Sequence, residues 1–203
     1  MSRIIAGTAG GLRLVSVPGE NTRPTTDRVK ESLFSKLESY DVVQGARVLD
    51  AYAGSGALGC EALSRGAASV EFVEKHPKAG EVTRRNVAAT SKAATGVTRV
   101  TQGSAQSYVA VHSGPWDLVF LDPPYAFTQD QILDILRVIA PNLAEGAIVV
   151  VERSSHDAEP AWKSQLRRFA MKKYGETVLY YLEPDESYAD TGSEPAESEN
   201  ASC

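Results

Sequence analysis

The stretch Arg47-Val48-Leu49-Asp50-Ala51-Tyr52-Ala53-Gly54-Ser55-Gly56-Ala57-Leu58-Gly59 decides the fold. A short β-rich run ends in an acid, a glycine turn follows, and a helical segment opens behind it. Glycine lets backbone approach a ligand closely, and the helix N-terminus offers free N–H groups. The same alternation continues downstream. Residues 47–50, 70–73, 97–101, 118–121 and 147–151 read as strands, separated by helix-length segments. The first helix, about 57–65, stops at Gly66, and the second opens at Pro77, where proline suits the first turn. Ile132, Ile135, Leu136 and Ile139 share one face of a third helix. Such alternation builds a parallel sheet covered on both sides. Residues 169–174 and 177–182 flank Gly175-Glu176 and read as an antiparallel hairpin. The expected fold is α/β and Rossmann-like: a mostly parallel seven-stranded sheet closed by a C-terminal antiparallel hairpin.

Upstream, residues 1–24 are short and glycine-rich, with a small hairpin expected around Gly10-Gly11. Over residues 26–40, Val29, Leu33, Leu37 and Tyr40 form one apolar helical face, with Thr26 or Asp27 as N-cap. Arg28, Lys30 and Lys36 are expected on its polar side. The chain thus divides into a hairpin-and-helix extension (1–44), an α/β domain (45–183) and an acidic tail (184–203), which is expected to be disordered.

Composition bounds the function. The 203 residues are 42% hydrophobic and 23% charged, an ordinary globular mixture that excludes collagen-like and disulfide-scaffold classes. No apolar run approaches the ~18 residues of a membrane span, and no secretory segment opens the chain. Cys60 and Cys203 are too far apart to suggest a metal site, so no metal is expected. The expectation is a cytoplasmic protein, with nothing to suggest more than a monomer. The net charge of −5 hides an asymmetry: residues 183–203 carry seven acids and no base, leaving 19 acids against 21 bases before them. The body is weakly basic, so the overall sign does not exclude RNA.

Read literally, Gly54, Gly56 and Gly59 match a dinucleotide fingerprint, with Glu74 as the ribose-binding acid. Electrostatics separates the candidates. A dinucleotide would bring its pyrophosphate against Asp50, like charge on like. S-adenosylmethionine (SAM) brings a cationic sulfonium and an α-ammonium, which an acid at the strand end suits better. The expected cofactor residues are Asp50, Ala51, Tyr52, Gly54, Ser55 and Gly56, then Glu74 with Lys75 at the ribose, and Ser104 with Ala105 near the adenine.

The fourth strand of the α/β domain runs into Asp122-Pro123-Pro124-Tyr125, at the strand end where open α/β sheets bind ligands. An exocyclic base amine is a poor nucleophile because its lone pair is delocalised into the ring. Asp122 can accept one of its N–H groups and the Pro123 carbonyl the other, favouring a pyramidal nitrogen. Proline supplies a carbonyl without a competing N–H and, with Pro124, stiffens the loop. Tyr125 offers a stacking face worth ~1–3 kcal/mol. These four are the candidate catalytic residues.

The two loops together resemble class I SAM-dependent methyltransferases acting on exocyclic or amide nitrogens, a superfamily with adenine-N6, guanine-N2 and glutamine-N5 members. The segments Arg3-Ile4-Ile5-Ala6-Gly7, Gly11-Leu12-Arg13-Leu14 and Arg23-Pro24-Thr25-Thr26-Asp27-Arg28-Val29-Lys30-Glu31-Ser32-Leu33-Phe34 resemble the start of the bacterial 16S ribosomal RNA guanine-N2 methyltransferase family (RsmD type). That resemblance runs from about residue 3 to 182. It implies methylation of one guanine amine in 16S rRNA, in the assembled small ribosomal subunit. Arg3, Arg13, Arg23, Thr25 and Arg28 then become candidate RNA contacts. Lys163, Arg167, Arg168, Lys172 and Lys173 form a second basic cluster that could extend the track. Two alternatives stay open on residues alone: an adenine-N6 DNA or RNA methyltransferase, and a non-catalytic RNA-binding or ribosome-assembly module. His76 and Cys60 are expected to be a surface and a core residue.

Overall fold

The computed structural model describes residues 2–18, 27–124, 126–162 and 165–185. A two-stranded hairpin, β1 (Ser2–Arg3) and β2 (Arg13–Leu14), leads to α1 (Asp27–Ser39). There follow β3 (Arg47–Asp50), α2 (Ala57–Ser64), β4 (Ser69–Glu74), α3 (Pro77–Thr90) and β5 (Val97–Gln102). The second half comprises α4 (Ala105–Val109), β6 (Trp116–Leu121), α5 (Gln129–Ile139), β7 (Leu143–Ser154), β8 (Leu166–Tyr174) and β9 (Thr177–Pro184). The sheet runs β5-β4-β3-β6-β7-β9-β8, parallel through β7 and antiparallel in the last two strands. The expected architecture is therefore the observed one.

The period-two alternation of strands sorts the core into two layers. Val48, Val70, Phe72, Leu118, Phe120, Ile148 and Val150 pack with α1, α2, α3 and the N-terminal Ile4 and Leu14. Leu49, Val73, Val119, Leu121, Val149 and Val151 pack with α4 and α5 on the other face. All four isoleucine and leucine residues expected on one face of α5 are fully buried. Thr128 and Gln131 close a capping box at the start of α5.

Three details depart from the sequence expectations. Lys30 is completely buried, not on the polar side of α1. It lies one helical turn from Phe34, and its ammonium lies 3.7 Å from the equally buried Glu61 of α2. Strand β7 is twelve residues long, with its register against β6 shifting between Leu143 and Ile148, where Gly146 adopts φ +70°. Helix α4, at five residues, is too short for periodicity to show in the sequence. Cys60 is core, as expected, and burial pushes its thiol up to about 12. Thr26, Tyr125, Lys163 and nearly all of the acidic tail lie outside the described residues.

The N-terminal hairpin is sewn onto α2. Glu61 accepts the Ile5 and Ala6 N–H groups at 2.7 and 3.1 Å and the Arg65 guanidinium at 2.7 Å. Arg65 also reaches Glu38 of α1 at 2.9 Å. Lys30 donates to the Arg3 carbonyl and to Ser2. Gly7 lies so close to α2 that a Cβ there would stand 1.9 Å from the Ser64 carbonyl oxygen.

Candidate active site

Chain order places the site. Strand β3 has β4 on one side and β6 on the other, so the connections diverge there to opposite sides and leave a crevice at the carboxyl ends. Asp50 stands beside Phe120 in the ladder, and the Ala51 N–H donates to the Phe120 carbonyl at 3.1 Å. The loop after Asp50 and the loop after Leu121 therefore leave adjacent strands at the same level. The rings of Tyr52 and Phe127 meet edge to face at 5.6 Å, joining the two loops.

Asp50 shares the parity of Val48 and points under the first turn of α2. Its carboxylate accepts the Gly59 N–H at 3.0 Å and is 3% exposed, so it braces the loop from beneath. Burial, against the Gly59 hydrogen bond and with the nearby Glu74 charge, raises its pKa from 3.8 to about 7. Glu74 closes β4 with the parity of Phe72. It accepts the Gly54 N–H at 2.8 Å and the His76 N–H at 2.7 Å. Thus Glu74 grips the glycine loop and Asp50 the first turn of the helix behind it, and each retains acceptor capacity. Gly54 has φ +55° and would meet nothing within 4 Å if it carried a Cβ, so the loop presents bare backbone to open space.

The other expected cofactor residues border the same crevice. Ala51 is buried, Tyr52, Gly54 and Ser55 are half-buried, Gly56 is buried with φ +77°, and Lys75 is exposed beyond β4. Burial raises the Tyr52 phenol to about 12, with the nearby Gln106 side chain acting against it; among the described residues the buried hydroxyl has no hydrogen-bond partner. Ser104 caps α4, accepting the Ser107 N–H at 3.1 Å, and Ala105 is buried behind it. Asn86, not singled out in the sequence, donates to the Ser55 carbonyl at 2.8 Å and holds both backbone groups of Val15. It ties the N-terminal arm to the glycine loop.

Across the crevice, Asp122 and Pro124 are exposed and Pro123 is buried. The Phe127 N–H donates to the Pro124 carbonyl at 2.9 Å, closing a turn. Tyr125 lies outside the described residues, as do Arg23 and Thr25.

The remaining basic residues can be placed from the ladders. Ser154, at the end of β7, pairs with Thr177, and Thr177 with Tyr174, so the β8–β9 turn sits at the active-site edge. Ser32 of α1 contacts the Tyr174 hydroxyl, while Tyr40 packs on Phe169 further down β8. Helix α1 therefore begins at the active-site edge. Arg28 is exposed there, Arg3 pairs with Asp27 at 3.1 Å, and Arg13 stands opposite Arg3 in the hairpin. The second cluster is less free than its sequence suggests. Arg167 pairs with Glu183 and Arg168 with Glu159, leaving exposed Lys172 and Lys173 near the turn. Among the described residues, no group of three or more His, Cys, Asp or Glu gathers as a metal site. No described helix is long and apolar enough to cross a membrane.

A family model described as "Conserved hypothetical protein 95" matches residues 2–183. The chain belongs to that family. Similar to this family member are Ribosomal RNA small subunit methyltransferase D of Escherichia coli (34% identical, covering 95% of this chain and 94% of the relative) and the putative rRNA methyltransferase YlbH of Bacillus subtilis (37% identical, covering 77% and 83%). Among solved structures, the putative methyltransferase yhhF from Escherichia coli superposes with a TM-score of 0.76 at 33% identity, covering 91% and 98%. The RsmD-type resemblance read from the sequence agrees with these matches, and the fold is that of class I methyltransferases.

Proposed function

We propose that this rRNA methyltransferase of the RsmD-type family transfers the methyl group of SAM to the exocyclic N2 of one guanine in 16S rRNA. The observation that carries the reading is the juxtaposition of two loops, residues 51–56 and 122–124, on adjacent strands at the point where the chain reverses direction across the sheet. Relatives named as small-subunit rRNA methyltransferases support the choice of RNA.

The residues present fit SAM. Bare backbone at Gly54, two acids under and beside the loop, and a polar helix cap at Ser104 form an electronegative cradle without a pyrophosphate-binding cation in the loop itself. Glu74 would take the ribose hydroxyls on its remaining lone pairs, residues 51–56 would hold the amino-acid part, and Ser104 and Ala105 would border the adenine. SAM supplies a methyl group already activated by the sulfonium. The protein's work is then positioning and electrostatics. Asp122 accepts one N–H of the guanine amine and the Pro123 carbonyl the other, turning the nitrogen lone pair toward the methyl group. Transfer would break the methyl C–S bond and form a C–N bond, releasing S-adenosylhomocysteine, and Asp122 would take the proton that the nitrogen sheds. Tyr125 stacks on the base. Arg3, Arg13 and Arg28 hold phosphates along the edge where α1 begins, Arg23 and Thr25 are further RNA contacts on the strength of the sequence, and a small ribosomal subunit in the cytoplasm is the substrate.

An adenine amine could be gripped by the same Asp-Pro-Pro loop; the resemblance carried by the N-terminal segment favours guanine, and the named relatives favour rRNA. The test is transfer of radiolabelled methyl groups to purified small subunits by the native protein and by Asp122→Ala. Loss of transfer with SAM binding retained supports the assignment. Equal activity in both removes Asp122 from the mechanism.

A further inference from the structure

The loop from Asp122 to Thr128 must be held still if it is to present an acid and a carbonyl to one nitrogen. Phe127 ties it at three points. Its N–H closes the turn on Pro124, and its ring packs edge to face on Tyr52 of the glycine loop. Its carbonyl accepts a hydrogen bond from Arg153 Nη2 at 3.0 Å.

Arg153 is an odd residue for its position. It shares the parity of Val149 and Val151, two apolar residues of the α4–α5 layer, and stands two residues beyond the β7 position paired with Leu121. Its side chain is 6% exposed. Nη2 is shared between Phe127 and Asp157, at 2.8 Å, while Nη1 is buried without a hydrogen-bond partner. A buried cation with an unpaired donor is costly, and an aliphatic side chain would fill the site without that cost. The guanidinium is the donor that takes the Phe127 carbonyl.

Resting on the methyltransferase reading above, we propose that Arg153 is a positioning residue. By fixing the Phe127 carbonyl it sets the Asp122-Pro123 loop against the cofactor loop that Tyr52 carries. It contributes through geometry, without touching substrate or cofactor. A displacement of about 1 Å at a reacting centre can cost on the order of a hundredfold in rate.

The experiment measures single-turnover methyl transfer to saturating small subunits for the native protein, Arg153→Met, Arg153→Lys and Asp157→Asn, alongside calorimetric SAM binding and thermal melting. Asp157→Asn keeps the guanidinium and perturbs only its partly exposed partner, so it remains informative if Arg153→Met folds poorly. The expected result is a rate loss of roughly tenfold to a hundredfold in Arg153→Met. Smaller losses are expected in Arg153→Lys and Asp157→Asn. SAM affinity and the half-saturating subunit concentration should stay near native, and the Phe127 amide should exchange faster in Arg153→Met. Native rates in folded Arg153→Met or in Asp157→Asn would overturn the proposal, as would a rate loss fully matched by lost SAM binding. If the native protein itself transfers no methyl group, the functional reading fails first, and the two failures are distinguishable.

Discussion

Replacing Glu61 by Ala should be among the more damaging single changes in this chain. The Glu61 carboxylate is fully buried, gathers three donors, the Ile5 and Ala6 amides and the Arg65 guanidinium, and pairs with the Lys30 ammonium at 3.7 Å. Removing it takes the buried counter-charge from a completely buried lysine whose pKa is already lowered, chiefly by burial, and leaves it the neutral Arg3 carbonyl and Ser2 hydroxyl. Breaking a buried pair from one side costs about 3–5 kcal/mol. For a chain of this length each kcal/mol is worth about 2–4 °C in melting temperature, so a fall on the order of 10 °C is expected. Lys30→Met should cost much less, about 1 kcal/mol, because Glu61 keeps both amides and Arg65 while a desolvated ammonium is removed. Urea unfolding followed by fluorescence of the buried Trp116 measures both variants by linear extrapolation. A loss below about 1 kcal/mol for Glu61→Ala, or a Lys30→Met loss as large, would refute the asymmetry. Hydrogen exchange at the Ile5 and Ala6 amides should rise in Glu61→Ala, because the arm loses its anchor.

Other outcomes follow from single contacts. Asp50 has its folded pKa raised, so native stability declines as pH rises from roughly 4 to about 7 and levels off above. Asp50→Asn keeps an acceptor for Gly59 and does not titrate. Its stability relative to the native protein should therefore climb across that window, by up to about 4 kcal/mol from a move of 3.8 to about 7. A difference independent of pH contradicts this. Gly59→Ala would place a Cβ 2.2 Å from the Phe72 ring and should cost about 1–3 kcal/mol; unchanged stability in denaturant titration would show that Phe72 yields freely. Arg28→Ala should leave calorimetric SAM affinity intact, weaken small-subunit binding and lower its salt dependence by about one phosphate contact. The reverse pattern would remove Arg28 from the RNA track.

What could be read from the sequence depended on how locally each feature is encoded. The strand–loop–helix alternation around residues 47–59 and the Asp-Pro-Pro run at a strand end carry their meaning within a dozen residues, so both the sheet and its crevice were legible. The finer role of Asp50 needed the third dimension. Parity alone sends it under α2, where it accepts the Gly59 N–H. The burial of Lys30 is hidden in the sequence because its charge points to solvent and its partner Glu61 lies on another helix. Arg153 and Asn86 were missed for the same reason: each acts through a backbone carbonyl far away in sequence. Helix α4 left only its cap, Ser104, as a signal. Arg167 and Arg168 looked free in a run without acids, yet each finds a carboxylate outside β8.

The most direct test is chemical. Small ribosomal subunits lacking this modification are incubated with the protein and SAM bearing a labelled methyl group, the RNA is digested to nucleosides, and the label is located by mass spectrometry. Label in N2-methylguanosine, absent when Asp122→Ala replaces the native protein, is the expected result. Label in N6-methyladenosine, or no label from the native protein, would contradict a carboxylate-and-proline grip on the guanine amine.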